Sequence, residues 1–199
     1  MRNNNALRNV KYWIATLLIL PIICFGCGNQ EESTSSSKHT QFTRWGISFE
    51  YPRNWKEHPA DRVALMKNYI AAELKPYDRD LIEFTMITGD NDDIALLVSK
   101  YNTSKELQPS ELVAERNKVY KDAMNAGDVT KINHVKETTV ANLPAVEEDV
   151  ERSNGGRGRT YKIILDKTIF ELLFVVSQGR KFDTYLDVLA HIISTLSIV

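Results

Sequence analysis

The stretch "GDNDD", residues 89–93, sets Asp90, Asn91, Asp92 and Asp93 side by side, and oxygen ligands so close could hold Ca²⁺. An EF-hand loop needs six ligand positions over about twelve residues and a closing glutamate. Here the apolar run 94–98 begins at once, so the acids read as a hairpin turn built from residues that tolerate positive φ. A second stretch, "NGGRGRT" (154–160), joins glycines to Arg157 and Arg159. A phosphate cradle requires such a loop to feed a helix N-terminus. This one feeds a strand-like run, so it too reads as a hairpin turn. Arg157 and Arg159 are free to answer Glu147, Glu148, Asp149 and Glu151 across it, each exposed pair contributing about 0.2–1 kcal/mol.

The remaining reactive side chains are scattered. His39, His58, His134 and His191 never form a close pair. His39 reads as solvated and His191 as an exposed helix residue, while His134 sits in an alternating strand with either face open to it. No serine stands in a Gly-x-Ser-x-Gly elbow. Arg116 and Tyr120 share a helical face with apolar residues, which suits packing better than proton transfer. Both cysteines, Cys24 and Cys27, precede the body, which therefore has no disulfide, thiolate nucleophile or cysteine metal ligand. The residues thus predict no catalytic group, no metal and no cofactor.

The N-terminus is more informative. Arg2, Arg8 and Lys11 precede an apolar run of 15 residues, 12–26, shorter than the roughly 20 that a helix needs to cross a bilayer. That order fits a secretory signal, residues 1–26. Gly26 then precedes Cys27 and the polar "GNQEESTSSS", which resembles the bacterial lipoprotein signal, with the cysteine lipidated to become the new N-terminus. Cys24 and Phe25 stand where that signal usually has leucine and a small residue; an uncleaved signal anchor is the alternative. Several acyl chains, each CH₂ worth about 0.8 kcal/mol on burial, would anchor firmly. Residues 27–41 carry no apolar period and read as a serine-rich tether spanning roughly 20 Å. The expected address is the cell membrane or outer membrane, facing periplasm or exterior.

The chain has 199 residues, enough for one domain, 42–199, beyond that leader. Without residues 1–26, which hold three bases and no acid, the formal charge moves from −1 to −4. A mildly acidic body argues against nucleic acid as partner, since phosphate binding needs a clustered basic surface.

Ile47, Phe49 and Tyr51 alternate with polar residues, a half-buried strand that Pro52 ends. Spacing predicts a helix over 61–74, strands over 81–88 and 94–101, and a helix from Pro109 to about Ala126 closed by Gly127. Strands follow at 129–139, 145–152, 159–165 and 168–177, then a helix from Phe182 to Leu196 with a clear apolar stripe. Runs 94–101 and 168–177 are apolar on both faces, so they need cover on both sides. Short connections make neighbouring strands antiparallel. The expected fold is α+β: a mainly antiparallel sheet of about six or seven strands between helical layers.

"GISFEYPRNW" (46–55), followed by "NLPAVEEDVE", "GRTYKIIL", "FELLFVVS" and "FDTYLDVLAHIISTLSI", resembles the PsbP-like family, named for an extrinsic subunit of the oxygen-evolving photosystem. The likeness spans residues 45–199 as a pattern. It implies a PsbP/Mog-type α/β/α sandwich with a binding or assembly role and no catalytic residues.

The functional expectation is a lipid-anchored envelope protein, attached through Cys27, whose domain binds another envelope protein. The alternative is a small-molecule binder with a pocket between sheet and helix lined by Trp45, Trp55 and Tyr69; an envelope hydrolase ranks third. A pocket with converging polar groups would promote the second reading, clustered titratable groups in a cleft the third, and an exposed apolar patch the first.

Overall fold

The computed structural model describes residues 38–89 and 93–199. Cys27, the expected signal segment 1–26, the expected tether as far as residue 37, and Asp90, Asn91 and Asp92 lie outside the described residues.

The elements run β1 (His39–Arg44), β2 (Ile47–Pro52), β3 (Lys56–Glu57), α1 (Ala60–Leu74), β4 (Arg79–Gly89), β5 (Ile94–Thr103), α2 (Pro109–Ala126), β6 (Val129–Val140), β7 (Leu143–Arg152), β8 (Arg157–Leu165), β9 (Thr168–Val176), α3 (Leu186–Thr195) and β10 (Ser197–Ile198). Seven strands form one antiparallel sheet in the order β3-β4-β5-β9-β8-β7-β6, and β1-β2-β10 form a second. The expected antiparallel sheet is present, and helices cover both of its faces.

Local chemistry explains the ends. Pro109 opens α2, and Gln108 and Glu111 form its capping box; Gly127, at φ 83°, closes it in the left-handed region. Trp45 and Gly46 link β1 to β2 in a two-residue turn with φ 60° and 97°, the type I′ geometry that suits twisted hairpins. Gly89 is required for another reason: a Cβ there would lie 2.1 Å from Trp55 Nε1, so only glycine leaves room for the buried indole.

Three expectations need correction. The tether was expected to reach Gln41, but β1 opens at His39, because Phe42 buries against Phe49 and pulls the preceding residues into the ladder. The terminal helix was expected from Phe182; a 3-10 turn, Gly179–Tyr185, comes first and α3 starts at Leu186. The charges of the β7–β8 hairpin were read as exposed, yet Asp149 is fully buried and Arg157 and Arg159 both bond to it.

The two faces of the large sheet are built differently. Phe170, Leu172, Phe174 and Val176 of β9 join Phe42, Phe49, Leu189 and Ile192 in the largest core, roofed by the small sheet and α3. Ile169, Leu173 and Val175 point to the opposite face, as alternation demands. There α1 packs on β4 near one edge and α2 on β6 and β7 near the other. No helix is centred over β5, β9 and β8, among the described elements, and a cavity lies there.

Candidate functional site

The cavity has a volume of about 110 Å³. Cavities of this order accept a single aromatic ring. Met66, Tyr69, Ile70 and Leu74 of α1 form one wall, and Leu97 and Leu173 lie across from them. Lys162, Glu171 and Arg79 of the strands and Arg116 of α2 supply the charges of its floor, and Glu73 of α1 adds one on the wall. The site is therefore amphipathic, a greasy wall facing an ionic floor.

That floor is a network. Glu171 and Lys162 are cross-strand partners on β9 and β8 and form an ion pair. Tyr101 donates its hydroxyl to Glu171 at 3.1 Å. Lys162 also lies 4.0 Å from Glu148 of β7, which Arg116 grips through Nε at 3.0 Å. Tyr120, one helical turn beyond Arg116, donates its hydroxyl to Glu148 and accepts from Arg116. Burial pushes the Tyr101 phenol well above its usual range, with Glu171 adding to the effect, and does the same to Tyr120 beside Glu148. Burial pushes Glu171 up, but Lys162 and the further donors outweigh it and hold the carboxyl below its usual value. Near neutral pH the Tyr101 and Tyr120 hydroxyls therefore stay protonated as donors, and Glu171 stays ionised as an acceptor.

One corner is incompletely satisfied. Arg79 is 4% exposed and bonds Glu115 at 2.7 Å through one terminal nitrogen. Its Nε and Glu115 Oε1 are buried without a hydrogen-bond partner. An unsatisfied buried donor costs about 1–3 kcal/mol, so such a group calls for water or a ligand. Glu73, also on the cavity wall, has its carboxyl raised by burial.

The structure divides the expected aromatic trio. Tyr69 lines the cavity. Trp55 is buried in the core of the opposite face, and Trp45 packs edge-on against Phe42 at 5.6 Å beside that same core. Neither tryptophan lines the cavity; both serve packing, because the β1–β2 hairpin lies on the other side of the sheet. Glu148 was expected to answer Arg157 and Arg159 and pairs with Arg116 instead; the missed residues are Lys162 and Glu171. Their signal was available: single charges of alternating sign interrupt otherwise apolar strands, as in "FELLFVV" and "TYKIIL".

The histidines also regroup. His134 bonds Glu147 at 3.0 Å and His58 bonds Thr88 at 3.1 Å. His39 and His191, expected solvated and apart, stack at 4.0 Å with 18° between their rings, and His191 bonds Glu50 at 3.1 Å.

No family model matches this sequence, and no curated protein matches it. Solved structures do. Cyanobacterial PsbP (CyanoP) from Synechocystis sp. PCC 6803 superposes with a TM-score of 0.58 at 10% identity, covering 86% of this chain and 98% of that one. This chain has the PsbP-like fold. A protein from Bacteroides thetaiotaomicron follows with a TM-score of 0.49, 11% identity, and 82% and 49% of the two chains covered. LpqN of Mycobacterium tuberculosis, involved in cell envelope biogenesis, has a TM-score of 0.45, 13% identity, and 82% and 87% covered. The PsbP-like architecture accounts for the sheet, its covering helices and the roofed face, while the ionic floor is described here from this chain's own residues.

Proposed function

We propose that this protein is a membrane-anchored lipoprotein of the cell envelope, held through Cys27, whose PsbP-like domain binds a protein partner and performs no catalysis. The observation that carries this reading is the state of α1. None of its residues is fully buried, and Leu65, at 67% exposure, and Tyr69, one turn on, stand open to solvent. Ile82, 40% exposed, sits in a β-bulge of β4 beside them, its carbonyl held by Lys67 of α1. Exposed apolar groups on neighbouring elements, with Tyr69 among them lining the cavity, are what a protein partner would cover. The floor below supports the same reading, since its ionisable groups are engaged with one another.

The test is co-purification of the native protein extracted from membranes, with bound proteins and small molecules identified by mass spectrometry. A stoichiometric protein partner that Leu65→Asp and Tyr69→Asp release is the expected result. Labelled palmitate should appear on the wild type and vanish with Cys27→Ser.

A second reading is favoured by the unpartnered Arg79 Nε: the cavity takes a small amphipathic molecule with one acceptor group. Recovery of one stoichiometric small ligand and no protein would overturn the first reading in favour of this one.

A further inference from the structure

Away from the cavity, β1, β2 and α3 bring together three metal-ligand side chains. His39, Glu50 and His191 each offer a ligand atom, and these atoms all lie within 4.8 Å of one another. We propose that they form a binding site for a zinc-type divalent cation, with two imidazoles, one carboxylate and an open position toward solvent.

The placement follows from the fold. Gln41 is the ladder partner of Glu50, so His39, two residues from Gln41, stands on the same face of the β1–β2 ribbon as Glu50. His191 approaches from α3, which packs on β2. A backbone bond supports that approach: Glu50 N–H donates to Thr195 Oγ1 of α3 at 3.0 Å. Residues far apart in sequence are thus fixed on one small surface by the hairpin and the last helix.

The donor set selects the metal. Imidazole nitrogen suits zinc and other late transition ions, whereas Ca²⁺ and Mg²⁺ prefer all-oxygen cages. Two histidines and one glutamate are a recurrent three-ligand set for zinc, with a water completing the tetrahedron. Metal–ligand distances near 2.0–2.2 Å put tetrahedral ligand atoms about 3.4 Å apart. Closing from the observed 4.8 Å envelope therefore also requires the two stacked rings to turn out of parallel, so that the in-plane lone pair of each points at the ion. Glu50 is on the ribbon's surface, with its side chain 46% exposed, and His191 already bonds it. Bound metal would pin the first residue of β1 to the last helix, close to where the tether enters the domain.

The test uses the full chain in detergent, stripped with a chelator and titrated with Zn²⁺ against a chromophoric competitor. One equivalent should bind, with a rise in melting temperature. His39→Ala and His191→Ala should each weaken binding at least tenfold, and Glu50→Gln should do so while leaving the metal-free melting temperature unchanged. His134→Ala is the control and should bind as wild type. Co²⁺ should give visible bands of low-coordinate geometry that the same variants lose. Absence of Zn²⁺ binding, or binding that His39→Ala and His191→Ala leave intact, overturns the site and leaves an ordinary histidine–glutamate pair. Neither result bears on the partner surface at α1, which is probed by different variants.

Discussion

The two faces of the large sheet differ by a single step along each strand. On β9, Phe170 and Leu172 enter a dry core roofed by α3 and the small sheet, while Glu171 between them enters an ionic floor under a cavity. Alternation is the same on both sides; the cover is not. Where side chains from a second sheet and a helix interdigitate with the first, aromatics fill the space. Where α1 and α2 sit over opposite edges, the middle strands carry ions, and each ion persists only because a partner is within reach. One face is specified by shape, the other by charge pairing.

The largest effects should separate those two modes. Phe174→Ala on the dry face removes a side chain 1% exposed and should cost about 3–5 kcal/mol in urea unfolding. Glu171→Ala on the ionic face should cost a similar 3–5 kcal/mol, because it leaves Lys162, 4% exposed, without its nearest counter-charge. The double variant Lys162→Met with Glu171→Leu is the discriminating measurement. It should recover most of the single variant's loss, short of what the Tyr101 hydroxyl forfeits, since buried pairs replaced by apolar residues are often neutral. A double variant as unstable as Glu171→Ala would mean that the floor is held by something besides pairing, and the contrast between the faces would fail.

The same contrast decides how much could be read beforehand. The dry face was legible, because continuous apolar runs such as "TIFELLFVV" and the stripe Leu186, Leu189, Ile192, Ile193 record burial directly in residue type. Antiparallel order followed from short turns. The ionic floor was only partly legible: the two-residue turn between β8 and β9 sets Lys162 opposite Glu171, but the pairing of Glu148 with Arg116 depends on where α2 packs, and sequence spacing does not give that. Trp45 and Trp55 misled for a related reason: an aromatic side chain suits a core as well as a ligand wall, and only the side of the sheet decides. His39 and His191 met through the small sheet, whose strands β1 and β10 are too short or too polar to be read from pattern.

A smaller effect sharpens the comparison at the far end of the dry face, where ions return. Asp149 is fully buried between Arg157 and Arg159, whose guanidinium groups lie 4.2 and 5.2 Å from the Phe182 ring centroid. Burial alone would raise its carboxyl, but hydrogen bonds from Arg157, Asn133 and Arg159 win and hold it at about 2. The folded state therefore takes up this proton less readily than the unfolded chain, where the value is near 3.9. The resulting stabilisation, about 2 kcal/mol, is complete above the unfolded value and is lost as pH falls through about 2. Asp149→Asn should be less stable than wild type at pH 6, and that difference should shrink by about 2 kcal/mol by pH 2. A constant difference across the range would show that the arginines hold Asp149 by shape and not by charge.

The smallest effect on folding belongs to α1. Leu65 is 67% exposed and outside every core cluster, so Leu65→Asp should change stability by no more than about 0.5 kcal/mol. Met66, its neighbour in sequence, is half-buried against Phe84 and Val175 on the cavity side, and Met66→Asp should be more costly because it removes apolar contacts and sets a charge against them. The two variants split one helix into a side that folds and a side that is spare. If Leu65→Asp keeps the wild-type urea midpoint yet loses the co-purifying protein, the exposed side of α1 is used for binding and the ionic face acquires its purpose as the rigid bed for that helix. If Leu65→Asp unfolds the domain as Met66→Asp does, α1 is a structural roof on both sides, and its exposed apolar groups belong to packing.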